Sequence, residues 1–193
     1  GGHCCVPCVF LQICRKDLTM SDNILLHICC GPCSLYCIDD LKQNTSLEVT
    51  GYYANPNIHP YEELMRRRGS TISACKAKNI PLIAEDFYNI QQWKAWESSR
   101  AERCRMCYTV RAEMTAKKAA ELGFEYYTST LFVSPYQQHD LMKEIFEETG
   151  KKYGIKFLYR DFRKGFREGQ QQARELGIYR QKYCSCIKCL YGE

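Results

Sequence analysis

No stretch of the 193-residue sequence approaches the roughly 18–20 apolar residues that a bilayer-spanning helix needs. The chain also lacks a linker, a low-complexity segment and an internal repeat. With only 12 glycines and 6 prolines it is far too poor in both for collagen. Apolar residues make 45% and charged residues 25%, ordinary proportions that exclude a coiled coil and wholesale disorder. Excess charge of one sign is small: 27 Lys+Arg against 22 Asp+Glu leaves a net charge of +5. Charge alone therefore does not announce a nucleic-acid partner. The length suits one domain with a single sizeable core.

What the chain has in excess is cysteine, 14 residues of it. Two explanations compete: a secreted disulfide framework, or a metal or redox protein in a reducing compartment. The chain is large enough not to need covalent staples, and helix-like segments separate its cysteine clusters. Val6–Ile13 is apolar, but no basic region precedes it, and cysteines interrupt or border it. It does not read as a signal peptide. Met20-Ser21-Asp22-Asn23 reads as a natural start. Residues 1–22 are expected to be a non-native or disordered extension, and residues 23–193 a single domain.

Apolar runs bounded by turn residues predict strands at Asn23–Ile28, Leu47–Ala54, Ile80–Ala84, Phe124–Thr130 and Ile155–Leu158. Helical patterns fall between them: Ser34–Leu41, Tyr61–Lys78, Asn89–Ser98, Cys107–Leu122, His139–Thr149 and Gly165–Leu176. On the helix from Cys107, Ala112, Ala116, Ala119 and Ala120 form the expected inward face, and Gly123 is its stop. The alternation predicts a single-domain α/β fold, Rossmann-like or HUP-like, with a parallel sheet of about five strands and a cysteine-rich C-terminal segment. Ligands of such sheets gather beyond the carboxyl ends of the strands. The turns at Cys29–Cys33, Asn55–Pro60 and Ser134–Gln138 would lie on that rim.

Cys29-Cys30-Gly31-Pro32-Cys33 follows the first strand and opens a helix, where the helix N-terminus favours thiolates. Adjacent cysteines close a disulfide only under strain, but both can serve one metal centre. Cys104-Arg105-Met106-Cys107 is a C-x-x-C placed at a helix start. The adjacent pair Cys29-Cys30 and this C-x-x-C together offer four thiolates, enough for a [4Fe–4S] cluster or a structural zinc. Cys184-Ser185-Cys186 is a C-x-C pair able to close into a strained, easily reduced ring, and so a candidate two-electron store. Cys186 and Cys189 also form a C-x-x-C, so a second metal is the alternative there. Cys37 and Cys75 read as small buried hydrophobes.

Six segments in order carry a resemblance. They are His27–Cys33, Asn55–Pro60, Arg103–Tyr108, Ser134–Gln137, Asp161–Arg163 and Tyr179–Cys186. With them the chain resembles the cobalamin-independent epoxyqueuosine reductases, the QueH family, over roughly residues 23–190. The resemblance implies a cytoplasmic, iron-dependent enzyme that reduces epoxyqueuosine at the wobble position of tRNA to queuosine. It implies that Cys29, Cys30, Cys104 and Cys107 hold a [4Fe–4S] cluster and that Cys184 and Cys186 are the redox-active pair. The family commonly carries Gly between those two cysteines, where this chain has Ser185. An additional mononuclear iron is also implied, with Cys33 as its candidate ligand. An electron donor is needed and is not identified by the resemblance; a membrane is not involved.

Reducing an epoxide to an alkene also needs protons, for which His59, His139, Asp140 and Asp161 are the candidates. Arg66–Arg68, Arg100, Arg103, Arg105, Arg160, Arg163, Lys164 and Arg167 form local basic groups for phosphates. Tyr136, Tyr179 and Tyr183 are candidates to stack on a base. Two other readings stay open. One is an iron–sulfur tRNA sulfurtransferase on a related scaffold, although the turn at Cys29–Cys33 lacks a pyrophosphate-binding loop. The other is a non-catalytic zinc-binding RNA module.

Overall fold

The computed structural model describes residues 22–94, 99–184 and 186. Apart from Asp22, the expected N-terminal extension lies outside them, as do Trp96, Ser185 and Cys189. Five strands form one all-parallel sheet: β1 (Asn23–His27), β2 (Glu48–Tyr53), β3 (Leu82–Ala84), β4 (Tyr126–Ser129) and β5 (Lys156–Phe157). Their spatial order is β3-β2-β1-β4-β5. Among the described residues six α-helices accompany them: α1 (Gly31–Asn44), α2 (Tyr61–Ala77), α3 (Ile90–Lys94), α4 (Arg100–Leu122), α5 (His139–Tyr153) and α6 (Phe166–Glu175). The α/β reading is therefore borne out.

Strand order reverses at β1, which pairs with β2 on one side and β4 on the other. Ile24, Leu25, Leu26 and His27 are all fully buried, as expected of a strand flanked on both edges and both faces. Helix α1 packs against α2 and α6, while α4 packs against α5. The core gathers β1, the inner face of α1, Ala112, Ala116 and Ala119 of α4, and Phe132 and Phe146. Ala120 differs from expectation: it is exposed, and Arg111 and Thr115 fill the buried face beside those alanines.

The largest shift from the sequence reading is the start of α4. It begins at Arg100, seven residues before the expected Cys107. Ser99 caps it, accepting from the Glu102 backbone N–H, while the Glu102 carboxylate accepts from Ser99 in return. This Ser-x-x-Glu capping box was present in the sequence as a signal. As a result Cys104 and Cys107 both lie within the first turns of a long helix. Gly123 adopts the left-handed conformation (φ 73°) that ends α4, as the sequence predicts. Helix α1 also starts early, at Gly31, so Cys33 is helical.

Gly31 is held by close approach rather than by an unusual φ. A Cβ there would collide with the backbone carbonyl of Ser70 on α2. The Gly31 N–H donates to the Ser70 hydroxyl at 3.1 Å. Helix α2 thus abuts the N-terminus of α1. Gly31→Ala is expected to cost about 1–3 kcal/mol of stability through overpacking. Thermal unfolding of the variant beside the parent protein checks this, and an unchanged midpoint would refute the close-approach reading.

Candidate active site

The site is built from the carboxyl ends of β1 and β4, where the strand order reverses and a crevice opens. His27, the last residue of β1, is buried; its Nδ1 pairs with Ser129 Oγ at 2.8 Å and its Nε2 with Asn55 Oδ1 at 3.2 Å. Asn55 also donates to the Ile28 carbonyl at 2.8 Å. The ends of β1, β2 and β4 are therefore tied together at the residues that lead into Cys29. Burial lowers the His27 pKa to about 4, so the ring is neutral at pH 7.

Cys29, Cys30 and Cys33 place their sulfurs within 4.8 Å of one another, all in buried positions. Cys29 receives the Thr130 hydroxyl at 3.4 Å, and its own N–H donates to the same oxygen at 3.1 Å. Hydrogen bonds from Cys30, Cys33 and Thr130 hold the Cys29 thiol well below the ordinary range. Cys30 is raised, chiefly by burial, and Cys33 chiefly by the neighbouring Cys29 and Cys30. The expectation that all these sulfurs ionise easily holds only for Cys29. One negative charge is favoured in the group and the next is opposed, because like charges cannot share a dry site cheaply.

Cys107 is carried by α4. Arg111, buried one turn further along α4, donates to the Cys107 carbonyl at 3.0 Å and to its sulfur at 2.9 Å. Burial pushes the Cys107 thiol up to about 12. For Arg111, burial opposes the charge, but the Cys107, Cys29 and Cys184 sulfurs raise its pKa overall. Arg111 therefore faces sulfur from three separate chain segments. Cys104 and Cys107 stand outside the compact group of three.

A cavity of about 360 Å³ is lined by Cys29, Cys33 and Cys184, together with Arg67, Arg111 and Gln181. The Gln181 amide donates to Cys30 Sγ at 2.9 Å. Gln137 donates to Cys184 Sγ at 3.9 Å and accepts from the Tyr108 hydroxyl at 2.7 Å. Cys184 is exposed and Cys186 half-buried. Cys37 and Cys75 are buried in the core, as expected of small hydrophobes.

None of the four proton-donor candidates lines the cavity. His59 is buried against Tyr88 and Trp93, with centroid distances of 5.4 and 6.1 Å. His139 Nε2 pairs with the Phe132 carbonyl at 3.1 Å. Asp140 opens α5. Asp161 is engaged by Arg163, which lowers its pKa to about 2. The basic groups are also redistributed. Arg67 is buried on Glu63 at 2.7 Å, Arg68 meets Asp86 at 3.0 Å, and Arg160 meets Asp40 at 2.6 Å. Arg105 meets Glu144 at 3.3 Å. The tyrosines separate likewise. Tyr179 donates to Glu63 and Tyr183 to the His59 carbonyl, both at 2.6 Å. Tyr136 stands on the cavity rim, 81% exposed, its ring edge-on to Phe166 at 5.9 Å.

A parallel α/β domain with a buried thiol group and a second cysteine segment meeting in one crevice defines a class: α/β proteins equipped for metal or thiol redox chemistry. The family model described as epoxyqueuosine reductase QueH matches residues 24–191. The chain belongs to that family of oxidoreductases. Curated relatives called epoxyqueuosine reductase QueH include one from Streptococcus pyogenes serotype M1, 34% identical, covering 86% of this chain and 69% of the relative. Another, from Dehalococcoides mccartyi, is 34% identical and covers 89% and 94%. One from Thermotoga maritima is 30% identical and covers 86% and 88%. Among solved structures, the U34-tRNA thiolase NcsA from Methanococcus maripaludis with its [4Fe-4S] cluster shares the fold at 14% identity and TM-score 0.54. That likeness covers 87% of this chain and 62% of the thiolase.

Burial lowers the His59 pKa to about 4, against 6.5 when exposed. The unfolded chain thus binds a proton that the folded chain refuses between those values, and stability falls as pH drops through this window. His59→Phe, which keeps an aromatic ring in the apolar box, is expected to flatten the slope of stability against pH between about 6.5 and 4. Denaturant titrations at a series of pH values check the difference from the parent, in which His27 titrates alike. Equal slopes would show that His59 is not held neutral.

Proposed function

We propose that this chain reduces epoxyqueuosine, carried at the wobble position of a tRNA, to queuosine. The family membership supports the substrate, and the shared cavity of Cys29, Cys33 and Cys184 is the observation that carries the chemistry. Cys184 and Cys186 act as the redox pair. The step balances without a further participant. The dithiol gives two electrons and two protons and becomes a disulfide, while the epoxide loses its oxygen as water and leaves an alkene. An external electron donor then returns the disulfide to the dithiol. The dithiol's own protons suffice, which agrees with the absence of His59, His139, Asp140 and Asp161 from the cavity lining.

The donor set fits an iron–sulfur centre. Cys29 and Cys30 belong to the buried group of three, and on α4 Cys107 accepts from Arg111 one turn after Cys104. Such a centre would take its four thiolates from these two chain segments. In this reading Cys29, Cys30, Cys104 and Cys107 hold a [4Fe–4S] cluster, and Cys33 is ligand to an additional iron. Cys30, Cys33 and Cys107 keep their protons when no metal is bound, and loading releases them. When bound, the group supplies single-electron transfer and a Lewis acid for the departing oxygen. Arg111 compensates the thiolate charge in the dry crevice.

The tRNA approaches over the rim, and Tyr136 is the residue placed to stack on its base. Tyr179 and Tyr183 are occupied with the protein's own hydrogen bonds. No described helix is long and apolar enough to cross a membrane.

Two experiments test this reading on anaerobically purified protein. Cys184→Ser or Cys186→Ser is expected to abolish turnover of epoxyqueuosine-tRNA while iron, sulfide and the visible absorbance stay as in the parent. Loss of the absorbance would move the substituted cysteine into the ligand set; Cys104→Ser is the variant expected to lose it. Separately, Tyr136→Ala is expected to raise KM for the tRNA on the order of 10-fold, as removal of one stacked base does, with kcat little changed. An unaltered KM would remove Tyr136 from substrate binding.

A further inference from the structure

Residues 179–184 reach the crevice without forming any helix or strand, so side-chain contacts must hold them there. Several of those contacts meet at Arg67, in the second turn of α2, and at its partner Glu63. Arg67 is buried to 3% exposure and pairs through Nε with Glu63 Oε1, one turn earlier, at 2.7 Å. Its Nη2 donates to the Tyr183 backbone carbonyl at 2.9 Å. The same guanidinium lies over the Tyr183 ring, 5.5 Å from the centroid. The Tyr183 hydroxyl reaches on to the His59 carbonyl, and the Tyr179 hydroxyl donates to the other oxygen of Glu63. Helix α2 therefore grips this segment at two tyrosines four residues apart. Between them Gln181 covers Cys30, and the residue after the second tyrosine is Cys184.

A buried ion pair is a poor source of net stability, because desolvation offsets its attraction. What Arg67 adds is geometry. A planar guanidinium serves a carboxylate, a backbone carbonyl and a ring face at once, which a lysine ammonium cannot do. We propose that Arg67 is a positioning residue: through Tyr183 it latches residues 179–184 as a strap over the cysteine group and sets Cys184 for reaction. The inference rests on the reading of Cys184 as a redox thiol and deepens it. A rival account is that Arg67 acts only as a positive charge near the thiolates, and the two accounts differ for lysine.

The test uses the whole chain, purified without oxygen. Arg67→Lys keeps the charge and removes the fork. Tyr183→Phe keeps the ring and removes the bond to His59. Three quantities are read for each: the rate of Cys184 alkylation by iodoacetamide, resolved by peptide mapping; iron and sulfide per chain; and kcat with KM. In both variants Cys184 alkylation is expected to accelerate severalfold with iron and sulfide unchanged. kcat should fall on the order of 10- to 100-fold, as misplacement of a reacting group does, with KM little altered. Parent-level alkylation and kcat in Arg67→Lys would overturn the latch and assign the residue's effect to charge. Loss of iron and sulfide in Tyr183→Phe would overturn it as well, since the network would then serve the metal site. If Cys184→Ser retains turnover, the functional reading fails on its own, while the alkylation rates still judge whether Arg67 holds the strap.

Discussion

Three thiols held within 4.8 Å of one another at the buried end of the central strand are the constraint on which the rest of this molecule depends. Such a group is unfavourable by itself. Burial opposes ionisation, and the first thiolate opposes the next. The fold accommodates it with specific partners. Thr130, at the end of β4, supports the sulfur that ionises first, Cys29. Gln181 covers Cys30 from above. His27, fixed by Ser129 and Asn55, supplies a neutral platform below. Each partner comes from a different segment, and the parallel sheet brings their ends to one rim.

Two buried arginines compensate the sulfur charge, and they do so differently. Arg111 touches the Cys107 sulfur directly and lines the same cavity as Cys29 and Cys184. Arg67 touches backbone and ring, and ties α2 to the strap that carries Cys184. The close approach of Gly31 to Ser70 connects these roles, because it sets α2 against the start of α1.

Much of this was legible in the residues. Strand and helix periods yielded an all-parallel α/β domain, and the cysteine pairs marked the site. The buried face of α5, with Met142, Ile145, Phe146 and Thr149, follows its apolar spacing. Other features were present as signals but carried little weight beside stronger patterns. The Ser99–Glu102 capping box set the start of α4 seven residues before the alanine stripe suggested. Arg66–Arg68 looked like one basic surface, yet helical geometry turns Arg67 inward onto Glu63, one turn back, while Arg66 stays exposed. Arg111 gave no sign at all, since a buried arginine among alanines differs from a surface one only in what it meets.

By itself the sequence determined the order of elements, the parallel sheet and the thiol-rich turn at its edge, because these follow from local periods and from spacing along the chain. Only the tertiary structure decided which thiol ionises, which tyrosine faces solvent and which arginine faces sulfur. Those outcomes depend on desolvation and on contacts between segments more than 100 residues apart, such as Cys29 with Thr130 and Arg67 with Tyr183. Neither quantity is a property of a residue's neighbours in sequence.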